Sequence, residues 1–278
     1  MKEYKNLLRA LLKKENRYEK IITLLITLLV LFGCSSSKEI KASDLDDIKS
    51  RGYMIVAMEG TWAPWTYHNE KGDLVGYDVE IGKKIGEYLG VEVRFVEGAW
   101  DGLLAGIETG RYDMMINGCG VTPERQQSYD FSNAYAYDKV AVIVRADNDE
   151  ITKMEDLDGK KTANTISSTY AQIAAEYGAA VSGVDDLNQT FLLLDRGDID
   201  ATLNAEVSYI DYMKANPDKQ FKIACYYENA PEIAIAMKKN SSALVNEVNK
   251  ALDQMRTDGS LKELSNKYFG IDITTPGE

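Results

Sequence analysis

One histidine, three cysteines and five prolines in 278 residues set the first limits on this chain. A Ser-His-Asp triad, a multi-histidine zinc site or a Cys-His pair would each have to rest on His68, in the turn-like stretch "TYHNEKG". His68 is therefore read as a surface residue, and neither a metal nor a cofactor is expected. The cysteines are too few for a disulfide scaffold, and Cys119 and Cys225 are read as free thiols. The phosphate-binding pattern G-x-x-x-x-G-K-[ST] is missing, so any nucleotide hydrolysis linked to this chain belongs to a separate subunit. The apolar run "IITLLITLLVLF", Ile21 to Phe32, is twelve residues long, short of the ~20 a membrane-spanning helix needs.

That run suits the apolar centre of an export signal. Seven Lys or Arg precede it within residues 1–20, and Gly33, Cys34 and a serine-rich stretch follow. "LFGC" resembles a bacterial lipobox, in which the cysteine becomes the new N-terminus and carries lipid. Phe32 is bulkier than the usual residue there and the basic region is unusually long, so a plain uncleaved anchor is the alternative. Both give an exported protein, on the outer face of the cell membrane or in the periplasm. The expected division is a lipoprotein-type signal peptide at 1–33, lipidation at Cys34, and a flexible tether over 34–44. Without the first 33 residues the net charge is −16, which argues against nucleic acid as a partner. The remaining length and a 45% hydrophobic composition suffice for one large or two medium domains.

Beyond residue 50 the pattern alternates. "YMIVAME", "VEVRFV", "YDMMIN" and "KVAVIVR" read as strands at 53–59, 91–96, 112–117 and 139–145. Between them, "VEIGKKIGEYLG" and "WDGLLAGIETG" read as helices closed by Gly90 and Gly110. After the charged stretch "ADNDEITKMEDLDGK" the rhythm restarts with "TANTI", "GVDDLNQTFLLLDRG", "IDATLN" and "FKIACYY". "EIAIAMK", 232–238, adds one more strand, and helices over 242–258 and 260–268 close the chain, their apolar face expected to cover the first lobe's sheet. Strand–helix alternation of this kind implies mostly parallel sheets, here in two successive α/β lobes.

Within "GVTPERQQSYDFS", Thr122 is a suitable N-cap, Pro123 suits the first helical position and Glu124 answers the helix dipole. Arg125 falls in the same first turn, where a cation opposes the macrodipole. Either it is a surface residue in an ordinary helix start or an anion holds it there.

"GYDVEIGKKIGEYLG", "WDGLLAGIETGRYDMMING", "VTPERQQSYDFS", "GDIDATLNAEVSY" and "LDQMRTDGSLKELSNKYFG" follow one another over 45–270. In this order they resemble the extracellular solute-binding proteins of bacterial polar amino-acid ABC importers (solute-binding protein family 3). The resemblance implies an α/β, two-lobed, type II periplasmic-binding-protein-like fold, each lobe a mostly parallel sheet flanked by helices. Lobe 1 would be discontinuous, 45–141 and 234–278, and lobe 2 would span 142–233, joined by a two-strand hinge near 140–145 and 230–236. It also implies a monomer that binds an amino acid, closes over it, and delivers it to an ABC permease with separate ATPase subunits.

The resemblance assigns Arg125 to the ligand's α-carboxylate, which a guanidinium meets with two parallel charge-assisted hydrogen bonds. The backbone donors of Gly118 and Gly120 are expected beside it, although many relatives carry Ser or Thr at the position of Gly120. Ser168 and Thr169, in "ISSTY", either cap the helix that follows or donate to the same carboxylate. Many relatives place an aspartate for the ammonium where this chain has Ala205, so Asn204 and Glu206 are expected to take that role. Trp62 and Trp100 match the flat walls of the family's pocket, while Trp65 matches a position that packs inside. Two tryptophans in a turn-rich segment nevertheless read as more exposed than a core needs. Glu59 aligns with an acid that meets cationic side chains in some relatives, or else faces water at a strand end. "WDGLLAGIETGRYD" and "TANTISSTY" look most like the branch that binds L-cystine, and a cationic amino acid, arginine or lysine, is the alternative. Some relatives are dehydratases on the same fold, but no acid here departs from the binding pattern, and an enzyme is not expected.

Overall fold

A computed structural model of the protein describes residues 44–276. The expected signal peptide, Cys34 and nearly all of the tether lie outside the described residues. The strands, in chain order, are β1 (Tyr53–Met58), β2 (Thr61–Trp62), β3 (Thr66–His68), β4 (Leu74–Val75), β5 (Glu92–Glu97), β6 (Met114–Met115), β7 (Tyr129–Phe131), β8 (Val140–Arg145), β9 (Lys161–Asn164), β10 (Ala180–Gly183), β11 (Ala201–Ala205), β12 (Phe221–Tyr227) and β13 (Ala236–Lys238).

They form two five-stranded sheets, ordered β5-β1-β6-β13-β7 and β10-β9-β11-β8-β12, and a small β2-β3-β4 sheet. In the first, β1 runs parallel to β5 and β6, and β13 is antiparallel to β6 and β7. In the second, β9 runs parallel to β10 and β11, and β8 is antiparallel to β11 and β12. The chain passes from the first sheet to the second between β7 and β8 and returns between β12 and β13. These sheets and their flanking helices make a type II periplasmic-binding-protein-like α/β fold.

The sequence of β8, "VAVIVR", shows why this strand is central. Val140, Val142 and Val144 pack on one face with Ile173 and Leu203, while Ala141 and Ile143 pack on the other with Phe191, Leu194 and Phe221. A two-residue period buried on both faces requires helices above and below the sheet. In the first sheet, Leu244, Val248, Leu252 and Met255 recur along the Ser242–Thr257 helix and meet Met54, Val56, Ile81 and Ile85. The closing helices thus cover the first sheet, and each fully buried aliphatic side chain contributes about 1.5–3 kcal/mol. The Tyr77–Leu89 helix ends where Gly90 takes the left-handed conformation (φ 70°), letting the chain turn directly into β5.

Three elements are shorter than their sequence pattern predicts, one being the strand expected over 232–238, which is regular only over Ala236–Lys238 with isolated bridges at Ile233. The strand expected over 112–117 is reduced to Met114–Met115, because Asn117 directs its amide to Glu59 and Gly118 turns to φ +54°. Thr122 caps as expected, its Oγ1 accepting the Arg125 N–H at 3.1 Å, but the helix spans only Arg125–Ser128. Residues Tyr129–Phe131 are claimed instead by pairing with β13.

Candidate ligand-binding site

The carboxyl ends of β1, β6, β9 and β11 converge on one cavity between the two large sheets, where open α/β folds place their ligands. It is narrow, with about 40 Å³ of free volume, and partly open to solvent. From the first sheet's side come Glu59, Thr61, Trp62, Trp100 and Gly118; from the second sheet's side come Asn164, Thr165, Ser168, Thr169, Tyr170, Asp186, Leu187, Thr190 and Asn204.

Trp62 and Trp65 divide their tasks. Trp62 faces the cavity and stacks on Trp65 with ring centroids 5.3 Å apart and planes 14° apart. Trp65 packs inside against Tyr77 and Phe269. Neither is as exposed as the turn-rich sequence suggests, Trp62 being 7% and Trp65 0% exposed, since the Tyr77–Leu89 and Ser260–Phe269 helices supply aromatic neighbours from far along the chain. Gly118 belongs to the wall because of Trp62. A Cβ at position 118 would lie 2.4 Å from the indole, and the left-handed φ already disfavours a side chain.

Gly118 departs from the expected ligand-donor role. The Gly118 N–H donates to Asp78 Oδ2 at 2.8 Å, with Tyr135 Oη at 3.2 Å. Asp78 is fully buried, so its carboxylate draws in the nearest donors, and burial pushes its pKa up to about 7. Gly120 lies outside the wall. Its carbonyl accepts from Arg125, and a Cβ there would meet Pro231 Cγ at 2.8 Å, so glycine serves close packing of the chain crossing.

Arg125 is buried, 6% exposed, just behind the wall. Nη1 donates to the Gly120 carbonyl at 2.8 Å, Nη2 donates to the Ser167 carbonyl at 2.8 Å, and the guanidinium carbon lies 5.3 Å from the centre of the Trp100 ring. A fixed cation thus lies against the turn leading into the Thr169–Glu176 helix. Ser168 caps that helix, its Oγ accepting the Ala171 N–H at 3.2 Å, and both Ser168 and Thr169 face the cavity. Cys119 and Cys225 are free thiols, Cys119 buried beside Arg125.

Glu59 is held in a reciprocal pair with Asn117: its N–H donates to Asn117 Oδ1 and its Oε2 accepts from Asn117 Nδ2, both at 2.7 Å. Burial pushes its pKa up to about 7, opposed by the Asn117 donor and reinforced by Asp186 and Asp101. Asn204 Oδ1 accepts from Trp62 Nε1 at 3.2 Å and from the Ala205 N–H at 3.0 Å. Glu206 does not reach the cavity. Its carboxylate accepts from Tyr226 Oη and lies 3.9 Å from Lys139 Nζ, at the start of the Glu206–Ala215 helix.

Asn164, Asp186, Thr165 and Thr190 are wall residues that the sequence did not single out. Asp186 carried a signal, as the N-cap of the Leu187–Arg196 helix, accepting the Gln189 N–H at 3.0 Å. Asn164 carried no such signal, since it ends the strand "KTAN", in which Lys161 and Thr162 are polar as well.

The cavity, set between two α/β sheets and walled by indoles, hydroxyls and carboxylates with a buried arginine behind the wall, defines a binding protein for a small polar ligand. Residues 54–271 match the model of the bacterial extracellular solute-binding proteins, family 3, and the chain belongs to that family. It is 33% identical to the L-cystine-binding protein TcyA of Bacillus subtilis over 259 residues, covering 90% of this chain and 96% of the relative. An ancestral arginine-binding protein bound to arginine superposes with TM-score 0.75 at 34% identity, covering 79% of this chain and 99% of that one. The L-cystine solute receptor of Neisseria gonorrhoeae, in an unliganded open conformation, gives 0.55 at 36% identity, covering 84% and 99%.

Proposed function

We propose that the chain is an exported, lipid-anchored receptor that binds a polar amino acid between two lobes and delivers it to an ABC permease. Lobe 1 is 45–141 with 234–278, lobe 2 is 142–233, and the hinge lies near 140–145 and 230–236. The observation that carries this reading is the set of hydrogen bonds across the cavity: Trp62 to Asn204, Arg125 to the Ser167 carbonyl, and the Ser167 N–H to Asp101 at 3.2 Å. A ligand touching both halves binds the closed state more tightly and shifts the population toward it, so that a permease reading the closed form receives loaded protein. The α-carboxylate takes Arg125 and the N-terminus of the Thr169–Glu176 helix, replacing the guanidinium's contact with the Ser167 carbonyl.

L-Cystine is the favoured ligand, supported by the names of the B. subtilis and N. gonorrhoeae relatives and by two indole walls suited to an elongated molecule. Glu59 and Asp186 favour a second reading, a cationic amino acid, although cystine's distal ammonium meets the same acids. A thermal-shift panel of the common amino acids and cystine on refolded protein tests the receptor reading, since a ligand selective for the native state raises Tm. A flat panel would refute it. Anchoring is tested by mass spectrometry of mature protein from its native host: a lipid-modified Cys34 is expected, and an unmodified Cys34 would contradict the assignment.

A further inference from the structure

The side chain of Asn164 ends β9 in the cavity wall and is 3% exposed. Its Nδ2 donates to the Leu203 carbonyl at 2.8 Å and to Thr202 Oγ1 at 3.3 Å, both on the neighbouring β11. Those acceptors fix the orientation of the amide, because a flipped group would set its oxygen against the Leu203 carbonyl. Oδ1 therefore points away from the sheet, and it has no hydrogen-bond partner among the described residues. An amide oxygen buried without a donor is destabilising, a penalty that a native site retains when something else supplies the donor.

We infer that Asn164 Oδ1 accepts a hydrogen bond from the α-ammonium of the bound ligand. The inference rests on the amino-acid receptor reading and names a contact within it. Asn164 lies four residues before the Ser168 cap, on the turn that faces Arg125, so a carboxylate held there carries its own α-nitrogen toward the β9 and β11 ends. Asn204, at the end of β11, also faces the cavity, but its Oδ1 already receives Trp62 Nε1 and the Ala205 N–H. Of the two asparagines, Asn164 holds the free acceptor. Neither carries charge, so the ammonium's charge is balanced by the carboxylates of Glu59 and Asp186 across the same cavity.

The test compares each amino acid with its counterpart lacking the α-amine. Titration calorimetry on refolded wild type and Asn164→Ala uses L-cystine against 3,3′-dithiodipropionate and L-arginine against 5-guanidinovalerate. For whichever amino acid the wild type binds, Asn164→Ala should weaken binding about tenfold or more, as for losing a hydrogen bond to a charged group. The des-amino counterpart should bind both proteins within about twofold. Equal weakening of both members of a pair, or of neither, with the variant melting cooperatively, would overturn the assignment while leaving the receptor reading in place. A wild type that binds neither cystine, arginine nor any other amino acid would overturn the receptor reading and this inference with it.

Discussion

Trp62 Nε1 donates to Asn204 Oδ1 at 3.2 Å across 142 positions of sequence, joining the β2 turn on the first sheet's side to the end of β11 in the second. Replacing Trp62 with Phe keeps an aromatic face and removes this donor. Affinity should fall by about 0.5–1.5 kcal/mol, the net worth of one neutral hydrogen bond. Trp62→Ala should lose more, because the stack on Trp65 and the wall go with it. Calorimetry on the two variants checks the order.

Gly118 tests the same wall from the other side. With φ at +54° and the indole 2.4 Å from where a Cβ would stand, Gly118→Ala must displace Trp62 or distort the turn. The left-handed conformation alone costs about 1–2 kcal/mol for a residue with a side chain. A variant with a lowered Tm and at least tenfold weaker binding is expected; wild-type affinity would mean the indole does not need its present position.

Glu59 separates the two ligand readings. A cationic side chain placed beside it stabilises the carboxylate, so binding near pH 7 should release a proton, seen as a dependence of calorimetric enthalpy on buffer ionisation heat. Glu59→Gln should weaken a cationic ligand far more than a neutral one without a distal amine. Equal effects on both would remove Glu59 from the recognition of charge.

Glu59, Asp78 and Asp138 all have pKa values raised to about 7, burial being the main cause in each. A carboxyl raised in the folded state binds more protons folded than unfolded between its two pKa values, so its stabilising effect, present at low pH, is lost as pH rises through that window. Each group contributes at most about 1.4 kcal/mol per pH unit. Denaturant melts of ligand-free protein should therefore show lower stability at pH 8 than at pH 5. Asp78→Asn should show a smaller loss, and an identical loss would mean Asp78 stays ionised in its buried site.

The strand–helix alternation made the α/β fold legible, because glycines such as Gly90 and buried runs such as "VAVIV" act locally. Short pairings were harder to read: Arg125–Ser128 is cut short by pairing with β13, and Met114–Met115 by the bond from Asn117 to Glu59, both partners distant in sequence. At the site, Trp62, Trp100, Glu59, Ser168, Thr169 and Asn204 meet in the wall. Glu206 was misdirected by adjacency, since successive residues leaving a strand end point to different sides. Asn164 was passed over because its significance rests on which of its amide atoms the Leu203 carbonyl occupies, a tertiary fact.

The account depends most on Arg125 holding the ligand's carboxylate. Titration calorimetry of refolded wild type and Arg125→Ala with L-cystine, or with whichever amino acid raises Tm, measures this directly. The account predicts roughly micromolar binding, near −8 kcal/mol, for wild type, and a loss of about 2–5 kcal/mol in the variant with its cooperative melt preserved. Unchanged affinity in Arg125→Ala would contradict it.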